Sequence, residues 1–217
     1  MIKILGICGS PVKDSNTERI LEEALKSIQR EGVETEIVTL HGKTVQDCIH
    51  CNWCLLKQEE EKFCSIEDDM AEIYRAIMDA DGLLLATPVY IGRLSGHMAA
   101  VLDRMRALDY GKRVTKCLKH KTGAGIAVSW YRNSGIETTL MTLHWAFMTW
   151  QMVIATPGSL ATFGGAGVSS LGGTGEFDPK DKHQVLKDSF GLETAKLTAA
   201  SLLELTEIVK KGKERVP

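Results

Sequence analysis

Residues 2–17 read IKILGICGSPVKDSNT, an apolar run that passes directly into a polar turn. The apolar part, residues 2–8, is rich in isoleucine and predicts a buried β-strand. The turn leads into an amphipathic pattern that predicts a helix over residues 18–31, and a second strand is predicted over residues 35–40. The order strand, helix, strand favours a parallel sheet whose strands are joined by a right-handed crossover.

The rest of the chain repeats this alternation of strands and helices. Three more strands are predicted over residues 82–87, 122–129 and 152–155. Helices are predicted over residues 68–80, 96–108, 136–149 and 192–211. Five strands alternating with helices predict an α/β fold with a doubly wound parallel sheet.

No repeat or low-complexity linker interrupts the pattern, so a single domain over residues 1–217 is predicted. One long irregular region, residues 156–181, is rich in glycine. A loop of this length in a compact domain is expected to be mobile, or to be held by a ligand or an oligomer contact. The sequence leaves these alternatives open.

The composition argues against several classes of partner. A formal net charge of -2 provides no basic field for nucleic acid or for an anionic membrane surface. No stretch approaches the ~20 apolar residues of a membrane span, and the apolar run at the N-terminus is too short for a secretion signal. We therefore expect a cytoplasmic protein whose cysteines stay reduced and available to a metal.

The first turn has the residues of a phosphate site. Ser10, Ser15, Asn16 and Thr17 place hydroxyl and amide groups around the start of the first helix, whose unpaired backbone N–H groups attract anions. The turn lacks the Gly-Lys-Ser/Thr ending of a triphosphate loop and the G-x-G-x-x-G of a dinucleotide site. It therefore predicts a site for a monophosphate ester. The alternative is that Ser15, Asn16 or Thr17 only caps the helix.

Two later loops have the residues of a site for a flat ring. Ligands of open parallel sheets lie beyond the carboxyl ends of the strands, where the loops after strands one, three and four converge. Residues 87–92, TPVYIG, contain a stiffening proline, a tyrosine that can lie against a ring, and a glycine that allows close approach. Residues 129–135, SWYRNSG, repeat this combination of aromatic and small residues. A phosphate site beside two such loops fits flavin mononucleotide (FMN).

Four of the six cysteines lie within seventeen residues. Cys48, Cys51 and Cys54 follow one another at a spacing of three, and Cys64 comes ten residues later. Soft sulfur ligands in such a run suit zinc or an iron–sulfur cluster. Surface disulfides, or reduced and empty thiols, are the alternatives.

As a set, these motifs resemble the iron–sulfur flavoproteins of the NADPH-dependent FMN reductase superfamily, which have flavodoxin-like folds. The resemblance extends from Met1 to about Leu160 and rests on GSPVKDSNT, CIHCNWC, SIEDDM, DGLLLATPVYIGRLSGHMAAVLDR and SWYRNSGIETTL. It implies a flavodoxin-like five-stranded sheet with the cysteine segment, residues 48–64, inserted after the second strand. It also implies a [4Fe–4S] cluster bound by Cys48, Cys51, Cys54 and Cys64. The FMN-binding residues that it implies are Ser10, Ser15, Asn16, Thr17, Thr87, Pro88, Val89, Tyr90, Ile91, Gly92, Ser129, Trp130, Asn133 and Gly135.

Two features depart from this family. Nine residues, LLKQEEEKF, separate Cys54 from Cys64, which is more than the family usually has, and their acidic middle predicts a solvated excursion and a loosely closed cluster. Ser134-Gly135-Ile136 stands where many relatives have a Gly-Gly-Gln run, so a glutamine contact to the ring would be absent.

The acids at residues 59–61 and 67–69 are expected to favour an oxidised cluster and to repel an acidic carrier.

The function that the resemblance implies is electron transfer through FMN between a one-electron donor such as ferredoxin and a two-electron acceptor. NAD(P)H is the other candidate donor, and no catalytic acid or base is expected from the protein. One alternative is an NAD(P)H-dependent FMN or quinone reductase whose cysteines bind zinc or nothing. Another is a non-enzymatic flavodoxin-like sensing module. The resemblance also implies a homodimer or a homotetramer.

Overall fold

A sheet of parallel strands lies at the centre of the fold. The computed structural model describes residues 1–214, and within them the sheet has seven strands. The strands are β1 (Ile2–Cys8), β2 (Val33–Thr39), β3 (Gly82–Tyr90), β4 (Arg93–Leu94), β5 (Thr122–Ser129), β6 (Val153–Ile154) and β7 (Gly165–Val168). Their spatial order is β2-β1-β3-β5-β6, and β7 also pairs with β5. These pairings are parallel, whereas the short strand β4 pairs with β3 in the antiparallel direction.

Helices cover both faces of the sheet. They are α1 (Asn16–Lys26), α2 (Trp53–Leu56), α3 (Met70–Asp79), α4 (Gly96–Arg104), α5 (Arg106–Asp109), α6 (Ile136–Thr149) and α7 (Ser189–Lys213), with 3-10 turns at Gly158–Leu160 and Gln184–Lys187. On one face α1 and α7 pack against Ile4, Leu84 and Ile126 of three strands. On the other face α3, α4 and α6 pack against Leu5 and Leu83. None of the helices in residues 1–214 has both the length and the apolar character needed to cross a membrane.

The doubly wound α/β fold predicted from the sequence is confirmed, with five strand positions in a flavodoxin-like order. The strand predicted over residues 122–129 and the helix predicted over residues 136–149 have the predicted bounds. β3 is longer than predicted because its last residues form a hairpin with β4. The helix predicted over residues 96–108 is divided into α4 and α5.

The glycine-rich region contains a strand that the sequence did not predict. β6 pairs with Thr122 and Gly123 at the start of β5, and β7 occupies the same edge further along β5. The chain approaches closely here, because a Cβ on Gly164 would overlap the Gly125 carbonyl oxygen. The predicted fifth strand, residues 152–155, is thus found as the shorter β6, and part of the region 156–181 joins the sheet as β7.

The cysteine-rich insertion leaves the sheet after β2 and returns at α3. Its two ends are held together, because the Thr44 N–H donates to Asp69 Oδ2 (2.6 Å) and the Asp69 N–H donates to the Thr44 carbonyl (3.1 Å). The Gln46 N–H donates to Asp68 Oδ2 at 2.9 Å. These contacts close the base of a loop that contains the four clustered cysteines.

Candidate functional site

The loops after β1, β3 and β5 lie together at one edge of the sheet, as the sequence predicted. Ser95 caps α4 and donates its hydroxyl to the Gly9 carbonyl at 2.6 Å. This hydrogen bond joins the loop after β1 to the segment that follows β3. Thr138 on α6 donates its hydroxyl to the Gly92 carbonyl at 2.8 Å and joins that loop to the one after β5. The three loops are therefore one hydrogen-bonded unit.

Two serines of the first loop accept hydrogen bonds from the backbone, and within residues 1–214 no oxygen accepts their own hydroxyl protons. Ser15 caps α1, where its Oγ accepts from the Glu18 N–H at 3.1 Å, and Ser10 Oγ accepts from the Val12 N–H at 3.2 Å. Both side chains are buried. A hydroxyl that already accepts one hydrogen bond can still donate its own proton, and a phosphate oxygen is an acceptor. The pair thus fits an anion at the start of α1.

The other two residues of the predicted phosphate loop have different surroundings. Asn16 donates to the Lys182 carbonyl (2.9 Å) and accepts from the Val185 N–H (2.9 Å), so its side chain holds a distant segment against the loop. Thr17 is buried within the first turn of α1. Within residues 1–214, Ser10, Ser15 and Thr17 each have a hydroxyl proton that no oxygen accepts, whereas the Asn16 side chain already bonds to the distant segment.

Charged side chains form a cluster beside the first loop. Asp14, in the left-handed region with φ 52°, contacts Arg19, Lys182 and His183. The hydrogen bonds from Arg19 and Lys182 lower the pKa of Asp14 to about 2. Arg19 also pairs with Glu22, so the two carboxylates of this cluster balance the charges of Arg19 and Lys182. Cys8, at the end of β1, stays a neutral thiol, because burial raises its pKa to about 11.

The loop after β3 is a tight hairpin with an exposed tip. Ile91 (φ 51°) and Gly92 (φ 73°) connect β3 to β4, and this pair of positive φ angles is typical of a type I′ turn. A β-branched residue in this conformation is strained by about 1–2 kcal/mol. Ile91 is nevertheless 99% exposed, and Tyr90 beside it is 43% exposed. Strain combined with exposed apolar surface marks this tip as a contact site for a ligand or another chain.

Thr87, Pro88 and Val89 form the base of the hairpin. Thr87 is completely buried, its hydroxyl donates to the Pro88 carbonyl (3.1 Å), and its oxygen accepts from the Ser95 N–H (3.1 Å). Pro88 is buried in β3, and Val89 packs against the apolar cluster under α6. The Thr87 hydroxyl therefore supports the loop, because both of these hydrogen bonds are made to the protein's own backbone.

The loop after β5 rests on the glycine-rich region. Trp130 donates its indole N–H to the Gly175 carbonyl (2.9 Å) and stacks on Phe177 with ring centroids 5.6 Å apart. Ser129 is buried and donates to the Tyr131 carbonyl. Asn133 is exposed. The glycine-rich segment therefore positions this loop, a role that the sequence did not reveal.

Gly135 lies where the loop after β3 contacts the loop after β5, and these two loops are called the ring loops below. It lies at φ 105°, and a Cβ at this position would be 2.5 Å from the Gly92 Cα. The two loops thus meet backbone to backbone, which glycine alone permits. Tyr90 and Trp130, each partly exposed, leave aromatic surface beside this junction for a flat ring.

The second candidate site is a cavity lined by all four clustered cysteines, Cys48, Cys51, Cys54 and Cys64. Cys54 is buried, Cys51 is exposed, and the other two are half-buried. The rest of the lining includes Ile49, Ile66 and Tyr74. The four cysteines line a common space, although among residues 1–214 no three His, Cys, Asp or Glu side chains converge closely enough to hold a single metal ion.

The backbone of the cysteine run is coiled by two left-handed residues. His50 (φ 51°) and Asn52 (φ 57°) alternate with the first cysteines and turn the chain around the cavity. Asn52 accepts a hydrogen bond from Arg106 Nη2 at 3.1 Å, which fixes the turn between Cys51 and Cys54. His50 is exposed and does not line the cavity.

The long segment before Cys64 is held at its base by Gln58. This side chain is 2% exposed; it donates to the Ala107 carbonyl (2.8 Å) and accepts from the Arg113 (2.9 Å) and Val114 (2.8 Å) N–H groups. Phe63, next to Cys64, is also buried. The acidic middle of the segment is exposed, as expected, but its ends are fixed and Cys64 lies in the cavity wall. Cys64 is thus held beside the cavity, and the loose closure expected for the cluster stays a prediction.

Positive charges, which the sequence did not lead us to expect, lie in the cavity wall. Arg104 and Arg106 both line the cavity, whereas Glu59, Glu60 and Glu61 are exposed outside it. Arg104 is 1% exposed and forms an ion pair with Asp68. The charged residues of the cavity lining are therefore both arginines, and Asp68 balances the charge of one of them. No sequence signal separates Arg104 from a surface arginine, because its position depends on Asp68, 36 residues earlier.

The thiols differ in how readily they ionise. A hydrogen bond with Ser65 (Sγ to Oγ 3.1 Å) lowers the pKa of Cys51, with help from the Trp53 backbone and Arg106. Burial raises the pKa of Cys54, and Arg106 opposes this effect. Thiolate is the form that binds metals.

The donor set fits an anionic, sulfur-ligated centre. Four thiols surround one cavity, two arginines lie in its wall, and Arg104 Nε is a buried N–H without a partner within residues 1–214. A centre bound by four thiolates is negatively charged and needs such neighbours. The edge of the sheet where the loops after β1, β3 and β5 lie, called the loop edge below, also fits FMN. It has hydroxyl donors at the start of α1, and exposed aromatic side chains beside the contact between Gly92 and Gly135.

A flavodoxin-like sheet with these loops at its carboxyl edge defines the class of flavin-dependent oxidoreductases. The model of the NADPH-dependent FMN reductase family matches residues 2–165, and the chain belongs to this family, among its iron–sulfur flavoproteins. An iron–sulfur flavoprotein of Methanocaldococcus jannaschii is 36% identical, over 97% of this chain and 100% of that protein. One from Methanosarcina thermophila is 33% identical, over 99% and 100%. This membership favours an enzyme over a sensing module.

Solved structures agree on the fold. RosB with a bound 8-demethyl-8-formylriboflavin-5'-phosphate intermediate is similar with a TM-score of 0.75 and 16% identity, over 97% of this chain and 81% of that one. An NAD(P)H:quinone oxidoreductase from Methanothermobacter marburgensis has a TM-score of 0.60 and 14% identity, over 93% and 98%. At such identities the likeness concerns the fold alone.

Proposed function

We propose that this protein transfers electrons between a one-electron donor such as ferredoxin and a two-electron acceptor, using FMN at the loop edge and a [4Fe–4S] cluster in the cysteine cavity. The observation that carries the proposal is that four cysteines line one cavity in a chain whose loop edge also fits FMN. When bound, FMN accepts two electrons together or singly, and a cluster passes one electron at a time.

The protein contributes binding, orientation and electrostatics. Ser10 and Ser15 hold the FMN phosphate with their hydroxyl protons at the start of α1. Tyr90 and Trp130 border the isoalloxazine ring, and the junction of Gly92 with Gly135 fixes the spacing of their loops. Cys48, Cys51, Cys54 and Cys64 bind the cluster, and the apolar wall around them limits water. No acid or base of the protein is needed for these steps.

A second candidate is an NAD(P)H-dependent FMN or quinone reductase whose cysteines hold zinc or nothing. The family match to NADPH-dependent FMN reductases favours it. It shares the flavin site and differs in the content of the cysteine cavity, so electron counting separates the two functions.

Association between copies is supported by exposed apolar side chains. Trp145 and Met148 on α6 are 59% and 52% exposed, whereas Phe147 on the same helix is buried. Together with the exposed tip at Ile91, they suit a homodimer or homotetramer contact. We propose that copies of the chain associate through these side chains.

Anaerobic reductive titration tests the function. We expect the purified protein to accept about three electrons per chain, two into FMN and one into the cluster. Absorbance of the flavin and of the cluster is followed while a one-electron reductant is added in known amounts. An end point of about two electrons, with every absorbance change belonging to the flavin, would reject the first function and favour the second.

The phosphate assignment has its own test. The S10A/S15A protein is expected to bind FMN at least about 100-fold more weakly, because two hydrogen bonds to a charged acceptor are lost and each contributes about 1.5–3 kcal/mol. Its affinity for riboflavin, which lacks the phosphate, should stay within about twofold of wild type, a difference below 0.5 kcal/mol. Ser27→Ala, at the other end of α1, is the matched control. Equal losses for both flavins in S10A/S15A would contradict a phosphate contact.

A further inference from the structure

Arg104 is a charged residue in a fully buried position. It ends α4, and its side chain is 1% exposed. Its Nη1 donates to Asp68 Oδ2 (2.9 Å) and to the Gln46 carbonyl (2.9 Å), and its Nη2 donates to Asp68 Oδ1 (3.1 Å). A fork of this kind fixes the plane and the direction of the guanidinium.

One donor of this guanidinium remains unused. Arg104 Nε is buried and has no hydrogen-bond partner within residues 1–214. Asp68 is unable to serve it, because both its oxygens already accept from Arg104 and also from the Gln46 and Met70 N–H groups (2.9 and 3.2 Å). A buried cationic N–H without an acceptor is destabilising, so an acceptor is expected beside it.

The cavity is where that acceptor would be. Arg104 lines the same cavity as Cys48, Cys51, Cys54 and Cys64. Resting on the proposed function, we infer that the Arg104 Nε–H donates a hydrogen bond to a sulfur of the cluster or of a ligating cysteine and thereby raises the reduction potential of the cluster. Arg104 is thus a positioning and potential-setting residue in the cavity wall.

The sign of the effect follows from charge. A cluster becomes more negative when it is reduced, so an N–H that points at its sulfurs stabilises the reduced form more than the oxidised form. The positive charge of Arg104 is balanced by Asp68, with which it forms the buried pair. The hydrogen bond, rather than the net charge of the pair, is therefore the source of the effect.

Two variants separate the donor from the charge. In Arg104→Lys a methylene replaces Nε, while the ammonium keeps the charge and can still pair with Asp68. In R104Q/D68N the glutamine amide nitrogen takes the place of Nε, and both charges of the pair are removed. Arg75→Lys on α3, an exposed arginine 3.7 Å from Glu61, is the matched control. The readouts are the midpoint potential of the cluster, the iron and sulfide content, and thermal unfolding.

We expect R104K to have a lower midpoint potential than wild type at unchanged iron content, and R104Q/D68N to lie closer to wild type than R104K does. An R104K potential equal to wild type, or an equal shift in both proteins, would overturn the inference. If R104K binds no iron, the double variant decides: a potential close to wild type supports the assignment, and a clearly lower one, or a folded protein without iron, refutes it. Wild-type protein that contains no sulfide would refute the cluster itself, before any variant is made.

Discussion

Cys54→Ser is expected to lose nearly all of the iron and sulfide bound by the wild-type protein while keeping its FMN. Cys54 is the buried member of the four cysteines that line the cavity, and a serine hydroxyl is a poor ligand for iron. Iron should fall from about four per chain to well below one. The measurement is colorimetric iron and sulfide analysis, with FMN released by heat and determined by fluorescence.

Cys117→Ser provides the matched control for this prediction. Cys117 is half-buried, burial raises the pKa of its thiol, and it does not line the cavity. Iron and sulfide should therefore be unchanged in C117S. If C54S kept its full iron content, or if C117S lost as much, the cavity would not be the cluster site.

Gly135→Ala is expected to reduce FMN affinity at least tenfold, or about 1.4 kcal/mol, and to lower the free energy of unfolding by about 1–3 kcal/mol. The added Cβ would lie 2.5 Å from the Gly92 Cα and 2.8 Å from its carbonyl carbon and oxygen, at φ 105°. Because these neighbours are backbone atoms, no side-chain rotation relieves the overlap. Both ring loops must move apart. FMN titration by flavin fluorescence and urea unfolding of the apoprotein measure the two effects.

Gly96→Ala is the control at a glycine without this constraint. Gly96 is the first residue of α4, and no heavy atom lies within 4 Å of a Cβ built there. Alanine should leave FMN affinity unchanged and stabilise the chain by up to about 1 kcal/mol. G135A with an FMN affinity within twofold of wild type would contradict a ring site at the junction of the two loops.

The elements that the sequence predicts well are those whose own residues determine them. The run at residues 2–8 is apolar and rich in isoleucine, which predicts a buried strand wherever it pairs, and the structure places it as β1. The cysteine spacing likewise indicates a common site, and the structure brings all four thiols to one cavity. In both cases the signal is local.

The features that the sequence did not reveal depend on distant partners. β7 reads GAGV and has no apolar alternation; it becomes a strand because its glycines fit between β5 and α7. The Asn16 side chain bonds to Lys182 and Val185, contacts that the sequence did not reveal, and its contact with the phosphate stays a prediction. Arg104 can be buried because it forms an ion pair with Asp68. Tertiary contacts decided each of these roles.

The central claim is that one chain holds both a flavin and an iron–sulfur cluster. The most direct test is the iron, acid-labile sulfide, zinc and FMN content of wild-type protein purified without oxygen. The account predicts about four iron and four sulfide per chain, together with about one FMN and no stoichiometric zinc. Protein that contains FMN and about one zinc per chain, without sulfide, would contradict it.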